Sequence, residues 1–269
     1  MAFNQATLGF RPQLLRMWRT CALACMSCTV SVAVAVAADN VPPPVKAAPA
    51  APFKIYSTVL FSGFDARKDS HYGYGGIVSA LNGNIATDGF LVRALGLYNP
   101  YSYTSTAVAG GEVDGKMTSF EAMVGYQKYF PGLTVRLFAG LDYESHRLSP
   151  TNPFDRNEGT HWGVHARGEL DAPYFAQWYY NLHASYGSAT RRYWVRGRAG
   201  YNFAGIIVGP EGLLTGNWVT KEQRVGAFLI FRNPQLLPFE VSFSGGYSST
   251  DETRGGKSAY GTVELSVAF

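Results

Sequence analysis

From residue 117 to the end of the chain, segment after segment places apolar side chains at every second position. A period of two is the mark of a β-strand with two unlike faces. In residues 119–127, Phe120, Ala122, Val124 and Tyr126 oppose Ser119, Glu121 and Gln127. In residues 134–146, Val135, Leu137, Ala139, Leu141 and Tyr143 oppose Arg136, Asp142, Glu144 and His146. Trp162, Val164, Ala166 and Leu170 then oppose His161, His165, Arg167 and Glu169, and Trp178, Tyr180, Leu182, Ala184 and Tyr186 oppose Gln177, Asn181 and His183. Tyr193, Val195, Ala199, Tyr201 and Phe203 oppose Arg196, Arg198 and Asn202, and the pattern runs on to Val263, Leu265, Val267 and Phe269.

A soluble sandwich shows the same alternation, so length and aromatic placement have to decide. The segments run about ten to thirteen residues, twice a usual soluble strand and enough for a tilted membrane crossing. Their apolar faces begin or end on Trp, Tyr or Phe, as the two aromatic girdles of a membrane barrel require. The expected fold is therefore an all-β, antiparallel, transmembrane up-and-down barrel of about twelve strands. The expected strands are 54–64, 72–81, 89–99, 116–128, 133–147, 159–171, 176–188, 191–203, 205–215, 221–232, 238–249 and 258–269. Short turns near residues 131, 173 and 204 alternate with longer loops over 100–115, 148–158 and 248–258. The first three segments alternate poorly, and Pro210 predicts a bulge or an early strand end; ten and fourteen are the neighbouring counts.

Residues 1–37 read as an export signal: Arg11, Arg16 and Arg19, an apolar run over 21–36, and small residues at Ala35 and Ala37. The run is short for a membrane anchor. Cys21, Cys25 and Cys28 all fall inside it, so the predicted mature chain has no thiol for a disulfide or a thiolate metal site. Ala22, Leu23 and Ala24 fit lipid attachment at Cys25 poorly. Cleavage removes three Arg and no acidic residue, leaving 20 basic against 19 acidic residues. Nucleic acid loses its electrostatic motive at that balance. Residues 38–54, with five prolines, read as an extended periplasmic tether, and residues 55–269 as the barrel.

In a closed barrel the final strand must pair with the first, because backbone groups in lipid cannot stay unpaired. Phe269, on one face with Val267, Leu265 and Val263, also has the form of an assembly signal read by the barrel assembly machinery.

Several stretches together, FSGFDARKDSHYGYGG (61–76), GLDYESHRLSP (140–150), GPEG (209–212), RVGAF (224–228) and SGGYS (244–248), resemble the BcsS family of cellulose biosynthesis proteins of alpha-proteobacteria. The resemblance covers about residues 55–269. It implies an accessory of a cellulose-producing envelope system and brings no catalytic residues with it.

Asp142, Glu144 and His146 lie about 6.6 Å apart in steps of two along one strand face. Such a row can hold a cation or act as acid and base. The reading preferred from sequence is a polar lumen network of Arg136, Asp142, Glu144, His146, His161, His165, Arg167, Glu169, His183, Arg196 and Arg198, because a water-poor interior must pair its charges. His161 and His165 are about 13 Å apart on a strand, so one ion reaches both only if other strands contribute. Tyr179 and Trp194 are candidates for stacking on sugar. Gly73, Gly75 and Gly76 are expected to relieve crowding inside the barrel. No cofactor, metal or catalytic residue is assigned, and no enzyme is expected. The expected partners are outer-membrane lipid, the assembly machinery, and cellulose or other cellulose-export components. The readings left open are a plugged scaffold, a pore for glucan or small solutes, and a lipid- or glycan-modifying enzyme.

Overall fold

A computed structural model describes residues 55–174, 176–232, 239–251 and 256–269. The export segment and the tether expected over 1–54 lie outside the described residues. Twelve strands close into one antiparallel barrel in which each strand pairs with its neighbours in sequence and β12 pairs with β1. They are β1 (Thr58–Arg67), β2 (Ser70–Ala80), β3 (Gly89–Thr104), β4 (Glu112–Phe130), β5 (Leu133–Ser149) and β6 (Gly159–Asp171), then β7 (Trp178–Gly187), β8 (Arg192–Phe203), β9 (Ile206–Gly216), β10 (Lys221–Arg232), β11 (Phe239–Thr250) and β12 (Lys257–Ala268).

The expected faces hold. Apolar residues with no protein neighbour to cover them form the outside, among them Leu137, Val164, Trp162 and Val225, each more than 60% exposed. Water could not tolerate such a surface around a whole barrel, and lipid is the solvent that accepts it. Rings cluster at both rims: Phe90 with Tyr126 and Trp178 with Tyr201 at the end where β1 begins and β12 ends, and Tyr143 with Trp162 at the other. The protein is a bacterial outer-membrane barrel, and its even strand number puts both ends of the barrel sequence on one rim, the periplasmic one.

Backbone bonds close the seam, and Thr262 Oγ1 on β12 also donates to Asp65 Oδ2 on β1 at 2.6 Å. Ser57 and Thr58 N–H both donate to the Phe269 carbonyl, and Phe269 N–H donates to Thr58 O at 2.9 Å. The Phe269 side chain stays exposed to the surroundings.

Three expectations need correction. Residues 100–104 and 112–115 are strand, so the loop expected over 100–115 shrinks to 105–111. The hairpin continues because loop residues pack on its inner face: Tyr103 Oη donates to Asp155 at 2.8 Å and accepts from Asn152 Nδ2 at 3.0 Å. Pro210 makes neither a bulge nor an early end. It pairs with Ala227 on the β10 side, while the β8 ladder skips from Arg198↔Glu211 to Tyr201↔Val208 in unchanged register. Gly76 does face inward, where a Cβ would strike Phe61, but the neighbouring strand alternation turns Gly73 and Gly75 outward.

Gly209 explains how the ladder survives beside Pro210. A Cβ there would lie 1.9 Å from Ala199 O, so the two backbones approach closer than any side chain permits. Gly209→Ala should cost about 1–3 kcal/mol, the usual penalty of overpacking. Gly212→Ala, whose Cβ meets nothing within 4 Å, should leave stability unchanged. Urea midpoints of the two variants in lipid vesicles check the contrast; equal midpoints would remove the close-approach argument.

At the periplasmic rim, the half-exposed loop residue Asp88 accepts from Lys128 Nζ and from Tyr129 N–H at 2.7 Å. These donors hold its carboxyl below the usual carboxylate range. The contact is therefore intact at neutral pH and weakens only as pH falls through that depressed value.

Candidate functional site

Alternation sends one face of every strand into the lumen, and the lumen is filled in two layers. Near the periplasmic end, Val78, Ala80, Leu91, Met123 and Phe138 pack as one apolar cluster, and Tyr179, Ile207, Phe228 and Ile230 as a second. Guanidinium groups cap both: Arg93 lies 4.5 Å from the Phe61 ring centroid beside the first, and Arg198 5.3 Å from that of Phe228 on the second. Ionic groups fill the rest of the interior, beyond this floor and, at Arg136 and Asp171, on its periplasmic side.

The ionic layer divides into separate clusters. Arg136 pairs with Asp171 at 2.8 Å and Glu169 at 3.6 Å; Arg167 and Arg93 also reach Glu169, and His183 bonds Asp171 at 2.9 Å. Arg196 and Arg198 on β8 reach Glu264 on β12 at 2.8 and 2.9 Å, joined by Tyr74 from β2. Arg198 also pairs with Glu211. Nearer the outside, Arg224 binds Asp65 at 2.5 Å and Glu222 at 2.6 Å. Arg93–Glu169, Arg196–Glu264, Arg198–Glu264 and Arg224–Asp65 join strands three or four apart round the ring and so reach across the bore, whereas the other ion pairs link adjacent strands or lie along one strand.

The row Asp142, Glu144 and His146 does not pair with Arg136, Arg167, Arg196 or Arg198, as the sequence suggested. Its guanidinium is Arg192, 3.1 Å from Glu144, 3.8 Å from Asp142 and 2.8 Å from Glu121. Arg196 and Arg198 lie nearer the periplasmic end of β8 and reach Glu264 on β12. His146 bonds Glu144 at 2.7 Å and meets the Tyr101 hydroxyl at 3.1 Å. His165 comes beside Glu121 and Asp142. His161 stands apart, bonded to Asn157 O and edge-on to Trp218.

Neither proposed sugar platform is free. Tyr179 is buried in the second apolar cluster. Trp194 has Arg167 5.5 Å and Arg196 5.1 Å from its ring centroid. At the outer rim Phe154 is 77% exposed beside a cleft of about 230 Å³ lined by Tyr103, Asn152 and Asp155.

Arg192, Glu264 and Arg224 were missed as partners although the signal was present. Arg192 continues the spacing of Arg198, Arg196 and Trp194 by one further step of two, and Glu264 lies opposite Val263 and Leu265. Asp65 had no such signal, because β1 alternates weakly.

The sequence profile of the family described as cellulose biosynthesis protein BcsS matches residues 59–269. No curated protein matches the chain by sequence. Similar solved structures include an outer membrane channel from Pseudomonas putida F1, at 13% identity and TM-score 0.48 over 86% of this chain and 100% of that one. LpxR from Salmonella typhimurium aligns at 13% identity and TM-score 0.46, covering 79% and 100%. The KdgM porin in complex with disordered oligogalacturonate aligns at 9% identity and TM-score 0.43, covering 78% and 99%.

Proposed function

For a chain that belongs to the cellulose biosynthesis protein BcsS family, we propose the role of a plugged outer-membrane scaffold. It helps export or organise cellulose at the cell surface and does not polymerise glucose. The observation that carries this reading is the bridged bore: Arg192 reaches from β8 to Glu121 on β4, and Arg196 from β8 to Glu264 on β12. A glucan chain threading the barrel would have to separate these buried pairs, and each parted charge would be left costly and unpaired. Contact with glucan is assigned to the outer rim, where Phe154 offers an exposed ring at the mouth of the cleft. Polymerisation from a nucleotide sugar needs a cytoplasmic donor, which an outer-membrane barrel does not reach.

Deleting the protein should leave synthase activity in isolated inner membranes unchanged while reducing or disordering the cellulose recovered outside intact cells. Normal quantity and normal fibre texture in the deletion strain would end the accessory reading. In planar bilayers the purified barrel should pass little current; steady conductance that soluble glucan blocks would favour a conduit instead.

A further inference from the structure

We propose that Glu121, Asp142 and His165 form a binding site for one divalent transition-metal ion, zinc by its donor set, inside the barrel. The three side chains come from β4, β5 and β6, and register makes them neighbours: Glu121 pairs directly with Asp142, and Gly140, two residues before Asp142, pairs with His165. One potential ligand atom from each lies within 4.8 Å of the other two. His165 Nδ1 is 3.6 Å from Glu121 Oε1 and 3.9 Å from Asp142 Oδ2. Ligands of a tetrahedral zinc ion stand about 3.4 Å apart when bonds are about 2.1 Å, so a slight contraction completes the site. One imidazole nitrogen and two carboxylates are a donor set that zinc accepts.

Two independent observations point to a missing occupant. Asp142 is fully buried with only the Ala189 backbone amide beside its carboxylate, and His165 is 3% exposed with no hydrogen-bond partner at either ring nitrogen. Buried polar atoms are rarely left so. Charge gives the second argument. Glu121, Asp142 and Glu144 have only Arg192 as a guanidinium at ion-pair distance among the described residues, an excess of two carboxylates over guanidinium. A divalent cation cancels it. The other cluster of similar composition, Glu169, Asp171 and His183, needs no ion, because Arg93, Arg136 and Arg167 already serve its carboxylates. Space is provided by Gly187, where a Cβ would lie 2.2 Å from Asp142 Oδ2 and 3.2 Å from His165 Nδ1.

The site is deeply buried, so the ion has to be offered during folding. The mature chain, unfolded with chelator, is refolded in detergent with Zn²⁺ or Co²⁺, then dialysed against chelator and assayed for metal by mass spectrometry. One ion per chain should be retained, and the Co²⁺ form should show the visible d–d absorption of a low-coordinate site. His165→Gln and Asp142→Asn should each lower affinity at least about tenfold to a hundredfold. Gly187→Ala, which keeps all three ligands and fills their space, should do the same. Glu240→Gln, remote from the cluster, should bind as the parent does. Folding of each sample is read from its heat-modifiable gel migration. Folded parent protein that retains no ion overturns the proposal, as does an ion that survives the folded His165→Gln and Asp142→Asn variants. Where a variant does not fold, the parent's Co²⁺ spectrum decides: absorption like that of the aquo ion overturns the site.

Discussion

Arg192→Met should destabilise the barrel by about 3–5 kcal/mol, the range for removing one partner from a buried ionic group. The size follows from how many charges depend on one guanidinium. Arg192 bonds Glu121 at 2.8 Å, lies 3.1 Å from Glu144 and 3.8 Å from Asp142, and also donates to Ser119 at 3.0 Å. Methionine keeps much of the volume and none of the charge, so three carboxylates are left close together in a dry interior. Arg192→Lys should lose less, because it restores the charge but not the planar fork that reaches several oxygens at once. Urea unfolding in lipid vesicles ranks the three proteins. Lowering the pH should return part of the Arg192→Met loss, since protonating a carboxylate removes surplus charge. A loss under about 1 kcal/mol, independent of pH, would show that the three carboxylates do not rely on Arg192.

The second large effect lies on the opposite face of the wall. Val164 is 64% exposed in the middle of β6, and Val164→Arg should cost about 2–4 kcal/mol if lipid surrounds it at the bilayer midplane. Arg167, three residues on, points into the lumen, where it bonds Glu169 at 2.6 Å. Arg167→Gln should cost less, because Glu169 keeps Arg93 at 3.7 Å and Arg136 at 3.6 Å. Both variants are measured by the same vesicle unfolding. A loss from Arg167→Gln equal to that from Val164→Arg would contradict the assignment of faces.

The fold was legible wherever one face met lipid and the other met charge. β6 and β10 begin and end where alternation placed them, at residues 159–171 and 221–232. Alternation weakens in β1 to β3 for a physical reason. Leu91 and Leu95 point inward with Val78, so apolar residues occupy both faces and the contrast that marks a strand fades. The same apolar floor was invisible to an argument that expected a wholly polar lumen. Pairing across the bore was legible only in kind: periodicity says that Arg196 and Glu264 face inward, but which charge meets which depends on barrel diameter and shear. Thus Arg192, rather than Arg196 or Arg198, came to serve Asp142 and Glu144.

The seam between β1 and β12 bears on how the chain reaches its native state. Val59 pairs with Ala268 and Arg67 with Tyr260, partners separated by almost the whole barrel sequence. Contacts so distant are slow to form, because the entropy of joining the ends is spent before any bond repays it. Until they form, both terminal strands present open hydrogen-bonding edges that can recruit other chains. Closure is therefore the kinetic bottleneck, and substitutions at Gly63 or Glu264, which meet directly across that seam, should slow folding more than equally destabilising changes in the β4–β5 hairpin.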